Sequence, residues 1–146
     1  MTAKEIKIRL ATPTDAGRII ELCIQLGYKV VRENVRERIQ RIMNKGDTVA
    51  FVAEEDGFVN GWIQATIKTT IESGEFAEIM GLVVDESARG KGIGKSLVRK
   101  AEEWARKSGQ KSIRVRTNVV RVQTHDFYRN LGFEETKKQV VFEKGL

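Results

Sequence analysis

The sequence predicts a mixed α/β fold in which helices flank one central β-sheet. Some segments carry hydrophobic residues at every second position, whereas others carry them every three or four residues. Taken in order, these segments give the arrangement β-α-α-β-β-β-α-β-α-β-β, which fits neither a doubly wound parallel sheet nor a barrel. The chain has 146 residues, of which 40% are hydrophobic, so residues 1–146 are expected to form a single domain with its own core.

Composition excludes several classes of site. There are 26 Lys and Arg residues against 20 Asp and Glu, a net charge of +6 that is too small to identify nucleic acid as a partner. Cys23 is the single cysteine and the chain has one histidine, so neither an internal disulfide nor the usual zinc site is expected. The N-terminal residues lack the apolar run of a signal peptide, and no segment has the roughly 20 apolar residues of a membrane span. We therefore expect a cytoplasmic protein that binds no metal and no membrane.

The first third of the chain is predicted to form one strand and two helices. Hydrophobic residues alternate with polar ones over residues 6–10 and indicate the first strand. Thr12 and Asp15 are placed to cap the helix that follows. A second helix has a hydrophobic stripe that begins at Val35 and a strongly charged opposite face within residues 32–41.

The middle of the chain is predicted to form three consecutive strands. The strands over residues 48–54 and 58–69 flank Glu55-Asp56-Gly57, whose Asp-Gly pair favours a tight hairpin turn. The next strand covers residues 77–85. Gly81 near its centre is expected to mark a β-bulge, or alternatively a position of close packing against a neighbour.

The remaining chain is predicted to contain two helices and three short strands. The helices cover residues 90–108 and about 120–131, and the strands lie near residues 113–115, 133–136 and 140–144.

A glycine-rich loop precedes the long helix of residues 90–108. Its three glycines are Gly90, Gly92 and Gly94. The free N–H groups and the positive dipole end of a helix N-terminus attract anions. Glycines let the backbone approach a phosphate without an intervening Cβ atom. Lys91 and Lys95 add positive charge, so the loop is predicted to bind a phosphate group.

Two well-known phosphate motifs do not fit this loop. Gly94-Lys95-Ser96 suggests a nucleotide-triphosphatase loop, but that motif requires a glycine where Arg89 stands. The dinucleotide-binding fingerprint lacks its third glycine when counted from Gly90 or from Gly92. A glycine-rich helix start without any ligand is the remaining alternative.

The pattern Arg89-x-x-Gly92-x-Gly94 resembles the signature of the GNAT superfamily of N-acetyltransferases. The resemblance continues in the strand over residues 82–85, in Thr117-Asn118 and in residues 125–133, which include His125, Phe127-Tyr128 and Leu131-Gly132-Phe133. It covers nearly the whole chain and is densest over residues 77–133. The resemblance implies a mostly antiparallel central sheet flanked by helices. It also implies acetyl transfer from acetyl-coenzyme A to a primary amine.

The resemblance further implies which residues hold acetyl-coenzyme A. In such enzymes the loop binds the pyrophosphate mainly through backbone N–H groups. The preceding strand lines the pantetheine arm and directs an amide N–H at the thioester carbonyl. The residues so assigned are Leu82, Val83, Val84, Arg89, Gly90, Lys91, Gly92, Ile93, Gly94, Lys95, Asn118 and Tyr128. For Asn118, a helix cap is the alternative role.

Two residues are candidates for proton transfer. The resemblance implies that Tyr128 protonates the departing thiolate, whereas its periodicity alone fits a half-buried core residue. Glu78 lies in a segment similar to one in which histone-type relatives carry a catalytic glutamate, and it is the candidate general base. The spacing from Glu78 to Arg89 is two residues shorter than in those relatives, so a water chain is the alternative base and a solvated strand position the alternative role. Cys23 fits a core thiol, so direct transfer in a ternary complex is expected.

The acceptor site is implied to include Tyr28 and Glu78. Glu72, Glu75 and Glu78 fall within seven residues, which favours a cationic acceptor unless they form only a solvated turn. Small-molecule amines and protein amines both remain open as acceptors.

Two other functions remain as alternatives. One is a regulatory module that binds acetyl-coenzyme A without transferring the acetyl group. The other is a nucleic-acid-binding module, supported by a pI of about 9.6 and by the arginines of residues 32–41. Glu33 and Glu37 interleave with those arginines, so no nucleic-acid partner is expected. Relatives in the superfamily often dimerise, which makes a homodimer an expectation.

Overall fold

The computed structural model describes residues 5–117 and 122–146. The chain forms two compact units, Met1–Val115 and Arg116–Leu146. That residues 1–146 act as one domain stays a prediction.

The first unit is built on a five-stranded sheet with helices on both faces. Its strands are β1 (Lys7–Leu10), β2 (Thr48–Glu55), β3 (Phe58–Thr70), β4 (Gly74–Val84) and β5 (Ile113–Val115), and its helices are α1 (Ala16–Gln25), α2 (Val35–Asn44) and α3 (Ile93–Lys107). Short 3-10 turns cover Pro13–Asp15 and Glu86–Ala88. The strands lie in the order β1-β2-β3-β4-β5, antiparallel except for the parallel pair β4–β5. The predicted mixed α/β fold with a mostly antiparallel sheet is confirmed.

The two faces of the sheet carry different helices. On one face Leu22 of α1 and Ile39 of α2 pack with Val52 of β2 in a buried hydrophobic cluster. On the other face α3 approaches so closely that a Cβ atom on Gly61 would lie 3.2 Å from the side chains of Ile93 and Leu97. The face that carries α1 and α2 is called the α1/α2 face below.

A β-bulge interrupts the pairing of β3 with β4. Gln64 pairs with Gly81 and Ala65 pairs with Ile79, which leaves Met80 as an extra residue on β4. The bulge predicted near Gly81 is therefore confirmed. The alternative prediction, close packing at Gly81, holds as well, because a Cβ atom on Gly81 would lie only 2.7 Å from Cη2 of Trp62.

The second unit contains one described helix, α4 (Val122–Asn130). The two strands predicted near residues 133–136 and 140–144 are wrong, because residues 133–146 form no strand in the structure. Val140, Val141 and Phe142 are 77%, 85% and 91% exposed. Their β-branched and aromatic character favours extended backbone, but a strand forms only where a neighbour is available to pair with it. The described helices are all too short or too polar to cross a bilayer.

Candidate active site

The junction between β4 and α3 contains the predicted phosphate loop. Gly90 and Gly92 adopt φ angles of 83° and 79°, in the left-handed region that favours glycine. Both are exposed, and an added Cβ atom would meet nothing within 4 Å at either position. Gly92 immediately precedes α3 and has no side chain with which to cap the helix. The first N–H groups of an α-helix lack partners within the helix, so this junction can bind an anion.

A buried carboxylate fixes the start of this junction. Asp85 is only 5% exposed and follows the last residue of β4. Its side chain accepts hydrogen bonds from the Ser87 backbone N–H at 2.9 Å and the Ser87 hydroxyl at 2.8 Å. It also accepts a short hydrogen bond from the guanidinium of Arg18 in α1. Asp85 thus connects the loop to the α1/α2 face.

Gln25 adds a second connection between α1 and the loop. Its side-chain oxygen accepts a hydrogen bond of 3.0 Å from the Glu86 N–H, and its amide nitrogen lies 3.4 Å from Asp85. Burial by itself would raise the pKa of Asp85, but the hydrogen bonds from Ser87, Arg18 and Gln25 outweigh it and lower that pKa. The carboxylate is therefore held ionised at neutral pH.

One edge of β4 is free of strand pairing near the loop. Strand β5 pairs with β4 only over Ala77–Ile79. The Asp85 N–H donates to the backbone carbonyl of Asn60 in β3, so by alternation Val83 also faces β3. The backbone groups of Leu82 and Val84 therefore face the opposite edge. In the described part of the chain no strand pairs with that edge beyond Ile79.

The bulge determines which residues reach this open edge. The Ala77 N–H donates to Ser112 at 3.1 Å, which places Ala77 and Ile79 on the β5 side. Without the extra residue Met80, the same alternation would direct Gly81 and Val83 to that side. With Met80 present, Leu82 and Val84 take their place. The side chain of Val83 is 3% exposed and packs in the hydrophobic cluster of the α1/α2 face.

Glu78 is buried on the α1/α2 face. It pairs with Thr66 of β3 and Arg114 of β5, so these three side chains lie on the same face of the sheet. It is 1% exposed, and its carboxylate lies 2.5 Å from Nζ of Lys68. A solvated strand position, one of the two sequence interpretations of Glu78, is therefore wrong.

The other predicted acceptor residues lie elsewhere in the first unit. Tyr28 follows the C-terminus of α1 and is 41% exposed. Glu72 lies in the exposed β3–β4 turn. Glu75 accepts hydrogen bonds from Gln110 at 2.6 Å and Thr69 at 3.4 Å. Because Glu78 is buried, the three glutamates do not form one exposed acidic surface.

Tyr128 belongs to the second unit. It is 7% exposed, and its ring makes edge contacts with Phe127 and Phe133 at centroid distances of 5.0 Å and 5.4 Å. The backbone of Phe133 donates a hydrogen bond of 3.0 Å to the Tyr128 carbonyl, which closes the helix end. Asn118, the other predicted coenzyme residue of this region, lies outside the described residues.

The connection between α1 and the loop was not predicted from the sequence. Arg18 and Gln25 are 67 and 60 residues from Asp85 in sequence, so no local pattern relates them. The available signal was an aspartate that ends a buried hydrophobic strand, since a charge in that position requires a partner. Within residues 5–117 and 122–146, no group of three His, Cys, Asp or Glu side chains is arranged to hold a metal ion.

Comparison with known proteins identifies the family. The model of the acetyltransferase (GNAT) family matches residues 19–133, which include the loop, β4 and α4. The chain belongs to the GNAT family. The predicted class, an acetyl-coenzyme A-dependent N-acetyltransferase, is confirmed at the level of the family.

Relatives of this GNAT protein include archaeal and bacterial enzymes. An uncharacterised N-acetyltransferase of Methanocaldococcus jannaschii is 36% identical over 146 residues, which cover 94% of this chain and 64% of that protein. An aminoglycoside N(6')-acetyltransferase type 1 of Stenotrophomonas maltophilia is 27% identical over 150 residues, which cover 100% of this chain and 97% of that protein. An aminoglycoside N-acetyltransferase solved in complex with CoA has the same fold, with a TM-score of 0.87 and 22% identity over 98% of this chain and 97% of its own.

Proposed function

We propose that this GNAT protein transfers the acetyl group of acetyl-coenzyme A to a primary amine by direct attack in a ternary complex. The observation that carries the proposal is the β4–α3 junction, where a strand edge that no described strand covers leads into a left-handed glycine loop at a helix N-terminus. The M. jannaschii and S. maltophilia relatives, named as N-acetyltransferases, support the same reaction.

The loop binds the pyrophosphate of the coenzyme. The residues assigned to it are Arg89, Gly90, Lys91, Gly92, Ile93, Gly94 and Lys95. Most of the contacts come from backbone N–H groups, because the two left-handed glycines leave the backbone uncovered. Arg89, Lys91 and Lys95 are exposed and supply positive charge around the anion.

The open edge of β4 binds the pantetheine arm. An extended chain with amide groups can pair with an unpaired strand edge as another strand would. The backbone groups of Leu82 and Val84 face this edge, while Val83 anchors the strand to the core behind it. The bulge at Met80 lies where β5 stops pairing, and an N–H at this irregularity stabilises the oxyanion of the thioester.

Proton transfer requires an acid and a base. Tyr128 supplies the proton for the departing thiolate, because a phenol with a pKa near ~10 is protonated at neutral pH. Glu78, buried beside Lys68, is the candidate base, and a water chain is the alternative. Asn118 assists coenzyme binding, and Tyr28 borders the acceptor. The acceptor itself is a primary amine, on a small molecule or on a protein.

The alternative is a regulatory protein that binds the coenzyme without turnover. A cytoplasmic location, a homodimer and the absence of a nucleic-acid partner remain predictions.

Coenzyme binding and turnover test the proposal in two steps. The full chain is titrated with acetyl-coenzyme A and, separately, with ATP by calorimetry. Release of coenzyme A is then followed with a panel of amines. We expect binding of the coenzyme but not of ATP, and amine-dependent release of coenzyme A. Binding of ATP alone would overturn the acetyltransferase proposal, and coenzyme binding without release would favour the regulatory alternative.

Replacement of Tyr128 by Phe tests the proposed acid. The substitution preserves the ring contacts with Phe127 and Phe133 and removes only the hydroxyl group. We expect single-turnover acetyl transfer to slow by ~10²–10⁴-fold, the usual contribution of a general acid. The dissociation constant of acetyl-coenzyme A serves as the control and should change little. An undiminished single-turnover rate would mean that water is the acid.

A further inference from the structure

A second site opens on the α1/α2 face of the sheet. It is a cavity of about 240 Å³ between the C-terminal end of α2 and strands β2–β4. The lining residues are Arg41, Ile42, Lys45, Asp47, Thr48, Gln64, Thr66 and Met80. Pockets for drug-sized ligands are usually about 300–1,000 Å³, so this cavity suits a smaller molecule.

The cavity adjoins the proposed reaction centre. Met80 is the bulged residue of β4, and Gln64 pairs with Gly81 beside it. Thr66, another lining residue, lies directly opposite Glu78 on the same face. A molecule in the cavity would therefore lie beside both the bulge and the candidate base.

The positive charge of the cavity comes from two basic side chains, Arg41 and Lys45. Arg41 lies in the last turn of α2, and Lys45 follows that helix. Neither forms an ion pair with any carboxylate of the described residues. Asp47 is the one carboxylate in the lining, and no ion pair joins it to either basic residue in this part of the structure.

We propose that Arg41 and Lys45 select an acceptor amine that also carries an anionic group, a carboxylate or a phosphate. This inference rests on the proposed function and specifies its acceptor. The anionic group lies between the two basic side chains, and Gln64 of the same lining supplies a further polar contact. The amine then points towards the bulge and Glu78. An acceptor of this class is a small amine with an anionic group, unlike the purely cationic acceptor that the three glutamates favoured in the sequence.

Matched pairs of amines test the charge preference. The pairs are β-alanine with β-alaninamide and O-phosphoethanolamine with ethanolamine, which differ mainly in the anionic group. Binding of each amine to the coenzyme A-saturated protein is followed by NMR at the backbone amides of Thr66 and Met80. We expect the anionic member of at least one pair to bind about tenfold more tightly, as charge-assisted hydrogen bonds would give. The pair that shows the effect distinguishes a carboxylate from a phosphate.

A double variant assigns the effect to the two side chains. Arg41→Gln combined with Lys45→Gln should remove the preference for the anionic member. Arg36→Gln, an exposed position of α2 outside the cavity lining, is the matched control and should preserve it. If the two basic residues served only the helix dipole of α2, the double variant would lower stability without changing the preference.

The outcomes separate this inference from the proposed function. Equal or weaker binding of both anionic members, including no binding of any of the four amines, overturns the anionic acceptor. A preference that survives in the double variant overturns the role of Arg41 and Lys45. Amine-dependent release of coenzyme A in either case would leave the transferase function intact. Failure of the protein to bind acetyl-coenzyme A in calorimetry would instead overturn the proposed function.

Discussion

Strand β4 connects two regions that are built in different ways. At its C-terminal end, the loop to α3 presents backbone groups, with glycines at φ angles of 83° and 79° and a buried anchor at Asp85. At its centre, the cavity beside Met80 is lined by side chains, several of them exposed. In the proposed function, backbone groups of the loop bind the coenzyme and side chains of the cavity bind the acceptor. Substitution can change those side chains without altering the fold.

The largest effect is expected from a side chain placed on the loop. Gly92→Val adds a branched side chain where the pyrophosphate would lie and strains a residue at a φ angle of 79°. We expect acetyl-coenzyme A affinity to fall by at least about 1,000-fold, since two or more charge-assisted hydrogen bonds are lost. Calorimetry measures this loss.

The matched control for this variant is Gly109→Val. Gly109 has a φ angle of 84° and equally open surroundings, but it follows the C-terminus of α3. The Gly109→Val protein should be destabilised to a similar extent as Gly92→Val and should still bind the coenzyme. Equal loss of binding in both variants would mean that general destabilisation, and not the loop, is responsible.

The second prediction concerns the anchor of the loop. Asp85→Asn leaves Arg18 without its buried carboxylate, and we expect the free energy of unfolding to fall by about 3 kcal/mol at neutral pH. Urea denaturation measures the change. Glu21→Gln is the matched control, because Glu21 is an exposed partner of the same arginine and should contribute under about 1 kcal/mol.

The pH dependence sharpens this prediction. The pKa of Asp85 is lower in the folded protein than in the unfolded chain, where it is about 3.9. Its stabilising contribution is therefore fully present above about pH 4 and is lost as the pH falls through the folded value. The difference in stability between wild type and Asp85→Asn should shrink below pH 4. A difference that stays constant with pH would contradict the ion-pair explanation.

A smaller effect is expected at the centre of β4. Gly81→Ala places a Cβ atom 2.7 Å from the Trp62 ring, so the ring must shift, at a cost of about 2 kcal/mol. Because Trp62 lies on the α1/α2 face, we expect the KM for the acceptor to rise while coenzyme affinity is retained. Gly17→Ala in α1, where the added atom meets nothing within 4 Å, is the control. Reduced coenzyme affinity in Gly81→Ala alone would show that the two regions are not separable.

Local signals in the sequence predicted the glycine loop, the helix start and the bulge of β4. The glycines, the helix start and the bulge near Gly81 each depend on the backbone preferences of one or two residues, and the structure contains all three. The partners of Asp85 were not predicted, because Arg18 meets it only through the tertiary fold. The ion pair of Glu78 with Lys68 depends likewise on the register of the β3–β4 hairpin.

In the C-terminal segment, local signals in the sequence predicted structure that does not form. Residues 140–144 have the composition of a strand, yet they form none in the structure. The preference for extended backbone depends on the residues of the segment itself, whereas strand pairing depends on a neighbouring strand. The cavity at Arg41 and Lys45 could not be predicted for a related reason, because its lining comes from one helix, the loop that follows it and three strands that converge only in the fold.

Backbone NMR during titration with acetyl-coenzyme A tests most directly whether the β4–α3 junction binds the coenzyme. We expect the amide resonances of Gly90, Gly92 and Gly94 to shift on binding, together with those of Leu82 and Val84 at the open edge. The amide resonance of Gly109, at the other end of α3, should not shift. Saturable coenzyme binding that leaves the loop and strand-edge amides unshifted would contradict coenzyme binding at the β4–α3 junction.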